Sequence, residues 1–431
     1  MQIKEDTRAL YSGDKESEPK KPQVTINTLD NVVIKEPENN TTESSVLENS
    51  NVTERLEKKK IEDIRILIGN DKANNTVYWE FGNKDLANRH MLITGVSGYG
   101  KTYAIQTMLY ELSKGGVSSI IFDYTEGFRM NQLEAPFVEQ MQDKLSQHVI
   151  KMQGVPINPF KRNELELDGI KGIEEAADVA LRFANILQHV YKFGDQQTSA
   201  VFEATRIGIE KYGNNMNMAH FMEELDEVGK DNKTAASVKN KMNPFFYSIK
   251  FSDSNNFDWG KILYSDEPIT KIFQLSQIDK SMQLIVIELM LWDLWYYSKQ
   301  FGKKEKPFVV VLDEAQNLSH KSNAPSAAIL TEGRKFGWSA WFATQSLKVL
   351  ADDEVVRLLQ SAFKLYFKPT EDEVIKMAKQ LNPTDVSEWL APLNALKKGQ
   401  CIVVGDRIRN DGSFGRVNPT VTNITSFDKR R

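Results

Sequence analysis

The sequence predicts an α/β fold: a mainly parallel sheet with helices on both faces and a helical subdomain inserted after the second strand of the core. Three observations carry this prediction. Apolar runs of strand length recur along the chain, and several are followed by stretches with helical spacing. One of them, "HMLITG", runs straight into a glycine-rich bend and a lysine, "GVSGYGKT". Residues 129–265 are dominated by apolar stripes at helical spacing.

In chain order, residues 1–60 are rich in Asn, Thr, Ser, Glu and Lys with few apolar positions. Such a composition cannot bury enough surface to offset its ordering entropy, so a flexible polar arm or linker is expected. Order is expected from Ile61, where "IRILIGN" and "TVYWEFGN", separated by the turn-forming "DKANN", read as a hairpin leading into the domain. "HMLITG" is a strand, "YAIQTMLYEL" a helix packed on a sheet, and "SSIIFD" the second core strand. Within the insertion, "GIEEAADVALRFANILQHVYKF" and "SAVFEATRIGIEKYG" are helices whose stripes serve as packing faces. "KIFQLS" returns to a strand, and residues 283–297 form an apolar helix. "KPFVVVLDEAQNL" holds a five-residue apolar run suited to a strand buried on both faces. A glycine turn at Gly337 leads to a strand over 338–343, and "AFKLYFKP" and "QCIVVGD" supply late strands. The expected divisions are the polar arm (1–60), the first part of the core (61–128), the mainly helical insertion (129–265) and the remainder of the core (266–431).

Composition narrows the function classes. The chain has 431 residues, 40% hydrophobic and 26% charged, enough to bury a large core. A formal net charge of -4 gives no overall pull toward DNA or an anionic membrane, so nucleic-acid contact requires local patches. The single cysteine, Cys401, excludes an intrachain disulfide framework, and five scattered histidines offer no metal-ligand spacing. The most apolar window, residues 284–297, is interrupted by Glu288 and Asp293, and the amino terminus lacks a signal-peptide core. A cytoplasmic protein with no membrane association is expected.

The chemistry concentrates at the bend. "GVSGYGKT" fits the P-loop pattern G-x-x-x-x-G-K-[ST], with a strand before it and a helix after. Gly95, Gly98 and Gly100 let the backbone curl so that the N–H groups of the Gly95, Val96, Ser97, Gly98, Tyr99, Gly100 run face a phosphate, reinforced by the positive helix end. Lys101 would reach the β- and γ-phosphates of ATP and Thr102 would hold Mg²⁺. A plain strand-to-helix turn needs the glycines alone and leaves Lys101 and Thr102 unexplained. The run ending in Asp313 and Glu314 supplies the complement: Asp313 behind Mg²⁺ through water, Glu314 as general base on the attacking water. Gln345, following the 338–343 strand and Thr344, is placed either to contact the γ-phosphate or water, or simply to make a turn.

The ordered set "GVSGYGKT", "IIFDYTEGF", "INPF", "VVVLDEAQNL", "EGRKFG" and "FATQS" resembles the HerA and FtsK group of P-loop ATPases, HerA-like proteins in particular, over residues 64–405. The resemblance implies a RecA-like P-loop NTPase core in a homo-oligomeric ring, usually a hexamer. It further implies ATP hydrolysis that moves double-stranded DNA or drives a partner nuclease. On this likeness Asp313 and Glu314 form the Walker B pair and Gln345 senses the γ-phosphate. Asp123 and Glu126 match an acidic pair that follows the second strand; the plainer alternative is a helix N-cap at Asp123 and a solvated Glu126. Arg334 matches the family motif and is the first candidate for an arginine finger reaching across the ring, with Arg357, Arg407 and Arg416 as candidates on chemistry alone. "VYWEFGNKDLANRHMLITG" and "SSIIFDYTEGF" carry a narrower likeness to the ATPase portion of DptH-like phosphorothioation-dependent restriction proteins, which implies a role in defence. The small β-barrel with which HerA-like proteins often begin has no room before the core.

Two functions fit these residues: an ATP-driven motor on duplex DNA, and an ATP-assembled scaffold or switch that activates a partner effector without tracking along DNA. A conjugation-type ATPase is a third, for which a membrane anchor is expected and not found. The basic clusters at residues 58–60, 303–306 and 429–431 read as solvated faces.

Overall fold

A computed structural model describes residues 60–230, 233–251 and 257–430. The polar arm expected over 1–60 lies, except for Lys60, outside the described residues. The expected hairpin is β1 (Ile66–Asp71) and β2 (Thr76–Trp79); β3 (Met91–Thr94) then leads through the glycine bend into α1 (Lys101–Lys114) and β4 (Ser119–Asp123). Next come α2 (Ala135–Met141), β5 (Leu145–Val149), α3 (Ile150–Gln153), the ribbon β6 (Glu164–Leu167) and β7 (Ile170–Ile173), and the helices α4 (Ala176–Tyr191), α5 (Asp195–Tyr212), α6 (Met218–Lys230) and α7 (Lys233–Ser248). A short α8 (Gly260–Leu263) precedes β8 (Thr270–Gln274), α9 (Lys280–Phe301), β9 (Phe308–Leu312), α10 (Pro325–Glu332) and β10 (Trp338–Thr344). The chain closes with α11 (Asp352–Leu358), β11 (Phe363–Tyr366), α12 (Val374–Leu381), α13 (Ser387–Asn394), β12 (Gln400–Ile408) and β13 (Phe414–Ile424).

The strands form an 11-stranded sheet in the order β2-β1-β13-β12-β11-β3-β10-β9-β4-β8-β5. From β11 to β5 all neighbours are parallel, and from β12 to β2 they are antiparallel. The central strands are buried along their whole length. Along β9, Val310 and Leu312 face one core with α9 and the inserted helices, while Val309 and Val311 face the other with α1. Burial on both faces leaves no place for polar alternation, which explains the continuous apolar runs.

The structure departs from expectation at the sheet's ends. The insertion is not helical throughout: "LSQHV" forms β5, a parallel edge strand, and β6 and β7 form a separate ribbon. Only Leu145 of β5 is fully buried, because an edge strand holds its place largely through backbone pairing. The polar β13 was likewise unmarked in sequence. It bridges β12 to the amino-terminal hairpin, with Gly69 opposite Ile424, so that hairpin docks at the far end of the sheet from β5. Among the described residues no helix is long and apolar enough to cross a membrane.

Candidate active site

The glycine bend leaves the carboxyl end of β3, where β10, β9 and β4 also end. Gly95, Gly98 and Gly100 adopt φ of +143°, +81° and +106°, values that side chains with a Cβ resist. Three backbone bonds pin the bend: Gly95 N–H to Thr344 O (3.3 Å), Val96 N–H to Lys368 O (2.8 Å) and Gly399 N–H to Tyr99 O (3.0 Å). Its outer side is open, since a Cβ on Gly98 would meet nothing within 4 Å. Helix α1 begins at Lys101 with no side-chain cap, so its first N–H groups and positive end remain available at the bend.

Lys101 folds its ammonium into the curl, donating to Gly95 O at 2.6 Å and Val96 O at 3.1 Å. Burial lowers its pKa, while Asp313 and Glu314 act in the opposite direction. Thr102 lies across from the loop after β4: a Cβ on Gly127 would stand 3.8 Å from Thr102 Oγ1 and 3.5 Å from Thr125 Oγ1. Thr125 Oγ1 lies 3.3 Å from Asp313 Oδ2 and 3.2 Å from Asp123 Oδ1, with one proton to donate to either. Asp313 is pushed up to about 7 by burial and then by its acidic neighbours Asp123 and Glu314, against the pull of the Glu314 N–H and Lys101. This surplus of negative charge beside a threonine hydroxyl and an open curl of N–H groups suits a hard divalent cation carried in with phosphate oxygens. The donors are oxygen only. Among the described residues no group of three or more His, Cys, Asp or Glu forms a metal cage; Mg²⁺ would take most of its shell from waters and phosphate oxygens.

Glu314 stands just past β9 with φ of +48°, a left-handed conformation that costs a non-glycine residue on the order of 1 kcal/mol. Its carboxylate is held on both oxygens. Gln345 Nε2 donates to Oε1 at 2.5 Å, and Gln316 Nε2 donates to Oε2. Gln316 Oε1 in turn accepts from Thr344 Oγ1 at 2.6 Å, tying the carboxylate to the end of β10.

The remaining sequence candidates separate. Asp123 is wholly buried at the end of β4 and caps no helix; it accepts from Thr125 N–H (3.0 Å) and Phe128 N–H (2.9 Å), holding the loop that carries Thr125. Burial raises its pKa while those bonds oppose the rise. Glu126 points to solvent, paired with Arg129 at 3.0 Å and accepting from Gln277 at 3.3 Å. Arg334 precedes β10, hence at the amino-terminal ends of the parallel strands, roughly 20 Å along the strand from its own P-loop. There it donates to Ala87 O at 2.9 Å. Arg357 pairs with Asp353 at 2.7 Å, Arg407 is buried against Asn418 and Thr420, and Arg416 is exposed on β13. Sequence reasoning missed Gln316, Thr125, Thr344 as the donor to Gln316, and Lys368, whose ammonium lies 5.5 Å from the Tyr99 ring centroid. Gln316 stood inside the quoted "LDEAQNL"; only the reversal of the chain at Glu314 turns it back onto the carboxylate.

Comparison with known proteins shows the family and the fold. The DNA double-strand break repair helicase HerA of Sulfurisphaera tokodaii is 23% identical over 354 residues, covering 79% of this chain and 65% of that protein. The HerA of Saccharolobus solfataricus is 22% identical over 342 residues, covering 74% and 62%. The chain thus spans somewhat under two thirds of the length of these relatives. Among solved structures, VirB4 of Thermoanaerobacter pseudethanolicus has a TM-score of 0.64 at 15% identity, over 84% of this chain and 96% of that one. The bacterial conjugative coupling protein TrwB has a TM-score of 0.56 at 13% identity, over 80% and 86%. These two are likenesses of fold. The family described as "Helicase HerA, central domain" matches residues 65–293, more than half of the chain, with the P-loop and the loop after β4 inside the match. The chain belongs to the HerA family of P-loop ATPases.

Proposed function

We propose that this protein hydrolyses ATP in a homo-oligomeric ring, a hexamer, and uses it to translocate or remodel double-stranded DNA. We propose further that it works with a partner nuclease in DNA processing or anti-phage restriction, in the cytoplasm. The observation that carries this reading is the convergence of Lys101, Thr102, Asp313, Glu314 and Gln345 at the carboxyl ends of the adjacent parallel strands β3, β10 and β9. The relatives' description as DNA double-strand break repair helicases supports duplex DNA as the substrate. TrwB has been captured with a non-hydrolysable ATP analogue and with ADP and Mg²⁺, which supports both assignments.

In this reading residues 61–128 and 266–431 form the motor core, and 129–265 an insertion on it. The Gly95–Gly100 amides and Lys101 bind the β- and γ-phosphates. Thr102 and Asp313 hold Mg²⁺, which when bound offsets phosphate charge. Asp123, through Thr125, keeps Asp313 in place, and Glu126 stays at the rim. Glu314 accepts the proton of the attacking water, and Gln345 moves between Glu314 and the γ-phosphate. Arg334 is offered to the neighbouring subunit, since its own P-loop is out of reach. A ring gathers local basic residues around its channel, so a net charge of -4 is no obstacle to DNA.

The test is phosphate release with and without linear duplex DNA, together with mass in solution, for the parent, Lys101→Ala and Glu314→Gln. Expected are DNA-stimulated hydrolysis in the parent and its loss in Lys101→Ala. Glu314→Gln should still bind ATP while turnover falls by about 10²- to 10⁴-fold. Undiminished hydrolysis by Lys101→Ala refutes the site. Hydrolysis indifferent to DNA in an intact ring points instead to the scaffold or switch.

A further inference from the structure

A cavity of about 370 Å³ opens between α4, α9 and the 319–324 segment that follows Asp313 and Glu314 in the chain. No P-loop residue lines it, so it is separate from the site described above. Its size lies within the roughly 300–1,000 Å³ of small-molecule sites.

The wall divides by chemistry. Lys192 and Lys321 line its exposed rim, and neither forms an ion pair among the described residues. His189 carries a buried Nδ1 with no hydrogen-bond partner; burial, then Lys192 and Lys321, lower its pKa, with Glu354 acting in the opposite direction. Deeper, Glu288 is 3% exposed and accepts Ser319 N–H at 3.0 Å on one oxygen. The amides of Asn185, Gln188 and Asn323 also line the space, beside the aromatic rings of Trp292 and Phe193. Arg182 lines it too but is committed, bonded to Glu174 and stacked 4.7 Å over Tyr296. An inorganic anion would engage the lysines and leave the deeper groups unmatched. An apolar ligand would desolvate all of them without return. A phosphate joined to a planar heterocycle matches both halves, with the phosphate on the lysines and the base against the rings, its edge bonded to the amides and Glu288.

We propose that this cavity is a second nucleotide site, which takes a base with its attached phosphate either as a free mononucleotide or as an unpaired nucleotide of a DNA strand. The segment it touches is wired to the hydrolytic machinery. The His320 ring spans Ala315 O (2.8 Å) and Ser326 Oγ (2.9 Å), Ser326 Oγ donates to Ser319 O at 2.6 Å, and Ala315 adjoins Glu314. The buried Tyr124 hydroxyl lies within the electrostatic reach of both Glu288 and Asp313, which after burial hold its pKa high. Occupancy therefore bears on the position of Glu314; this coupling rests on the hydrolytic role proposed above, and the binding itself does not.

The 431-residue chain, loaded with one equivalent of ADP and Mg²⁺ at its P-loop and freed of excess nucleotide by gel filtration, is titrated calorimetrically with AMP, GMP, dTMP and a 5′-phosphorylated single-stranded oligodeoxynucleotide. The variants are Lys192→Ala/Lys321→Ala and Trp292→Leu. Expected is saturable binding of at least one probe, weakened about tenfold for each lysine removed, with one ADP per chain still retained at the P-loop in both variants. Binding of the mononucleotides identifies a free ligand, and binding of the oligonucleotide alone identifies a strand. Saturable binding by no probe, or binding that both variants leave untouched, overturns the proposal. Loss of ADP binding by the parent would instead count against the P-loop reading, independently of this cavity.

Discussion

Replacing Glu288 by Gln isolates the consequence of keeping a carboxyl group inside the protein. Glu288 sits on α9 with 3% exposure, and burial raises its pKa from 4.5 to about 7, the Ser319 N–H recovering only part of the lost hydration. The unfolded chain ionises this group near 4.5, whereas the folded protein retains the proton up to about 7. Between those values the native state binds a proton that the unfolded state has released, so stability falls as pH rises. Because the folded pKa lies above the unfolded one, the stability associated with this group is complete below pH 4.5 and is lost by about pH 7. The gap corresponds to about 3 kcal/mol. A glutamine keeps the shape and does not ionise, so the variant should gain on the parent by about 3 kcal/mol between about pH 4.5 and pH 8. Any fixed effect of the amide cancels in that difference, as does the titration of Asp313 and Asp293, which both proteins share. Urea unfolding followed by the fluorescence of the seven tryptophans, across this pH range, measures it. Parallel pH profiles for the two proteins would refute the reasoning and show that Glu288 is effectively hydrated.

Gln316→Leu should remove one of the two amides that hold Glu314 and leave Thr344 with the Ser346 carbonyl, so turnover should fall about tenfold, the equivalent of one hydrogen bond to a charged group, with ATP affinity preserved. A parallel fall in affinity would assign Gln316 to nucleotide binding instead. Mixing Arg334→Ala with Lys101→Ala should restore part of the hydrolysis that each lacks alone, because some interfaces then pair an intact P-loop with an intact arginine; a finger of this kind contributes on the order of 10³ to 10⁵ in rate. Mixed rings that stay inactive would pass the search to Arg357, Arg407 and Arg416.

What the sequence determined by itself was whatever rests on local bonding. A P-loop is such a device: glycines at positive φ, a lysine and a threonine opening a helix, all within Gly95–Thr102, so the pattern and the geometry coincide. The core strands were equally legible, because burial on both faces forces apolar runs such as "VVVL". Other features existed only once distant segments met. β5 and β13 are placed by backbone pairing that no side chain announces. Gln345 reads alike as a turn residue or a site residue until β9 and β10 pair and bring it to Glu314, 31 positions away. Asp123 reads alike as half of an acidic pair or as a helix N-cap, and the path of the chain to Phe128 turned its carboxylate onto the loop after β4 instead. Strand direction decided the place of Arg334: for paired parallel strands the start of β10 and the end of β3 lie at opposite strand ends, so an arginine just ahead of the strand that carries Gln345 is remote from the P-loop in space. The cavity beside Glu288 is the extreme case, since α4, α9 and the 319–324 segment share no local signal and are joined only by packing.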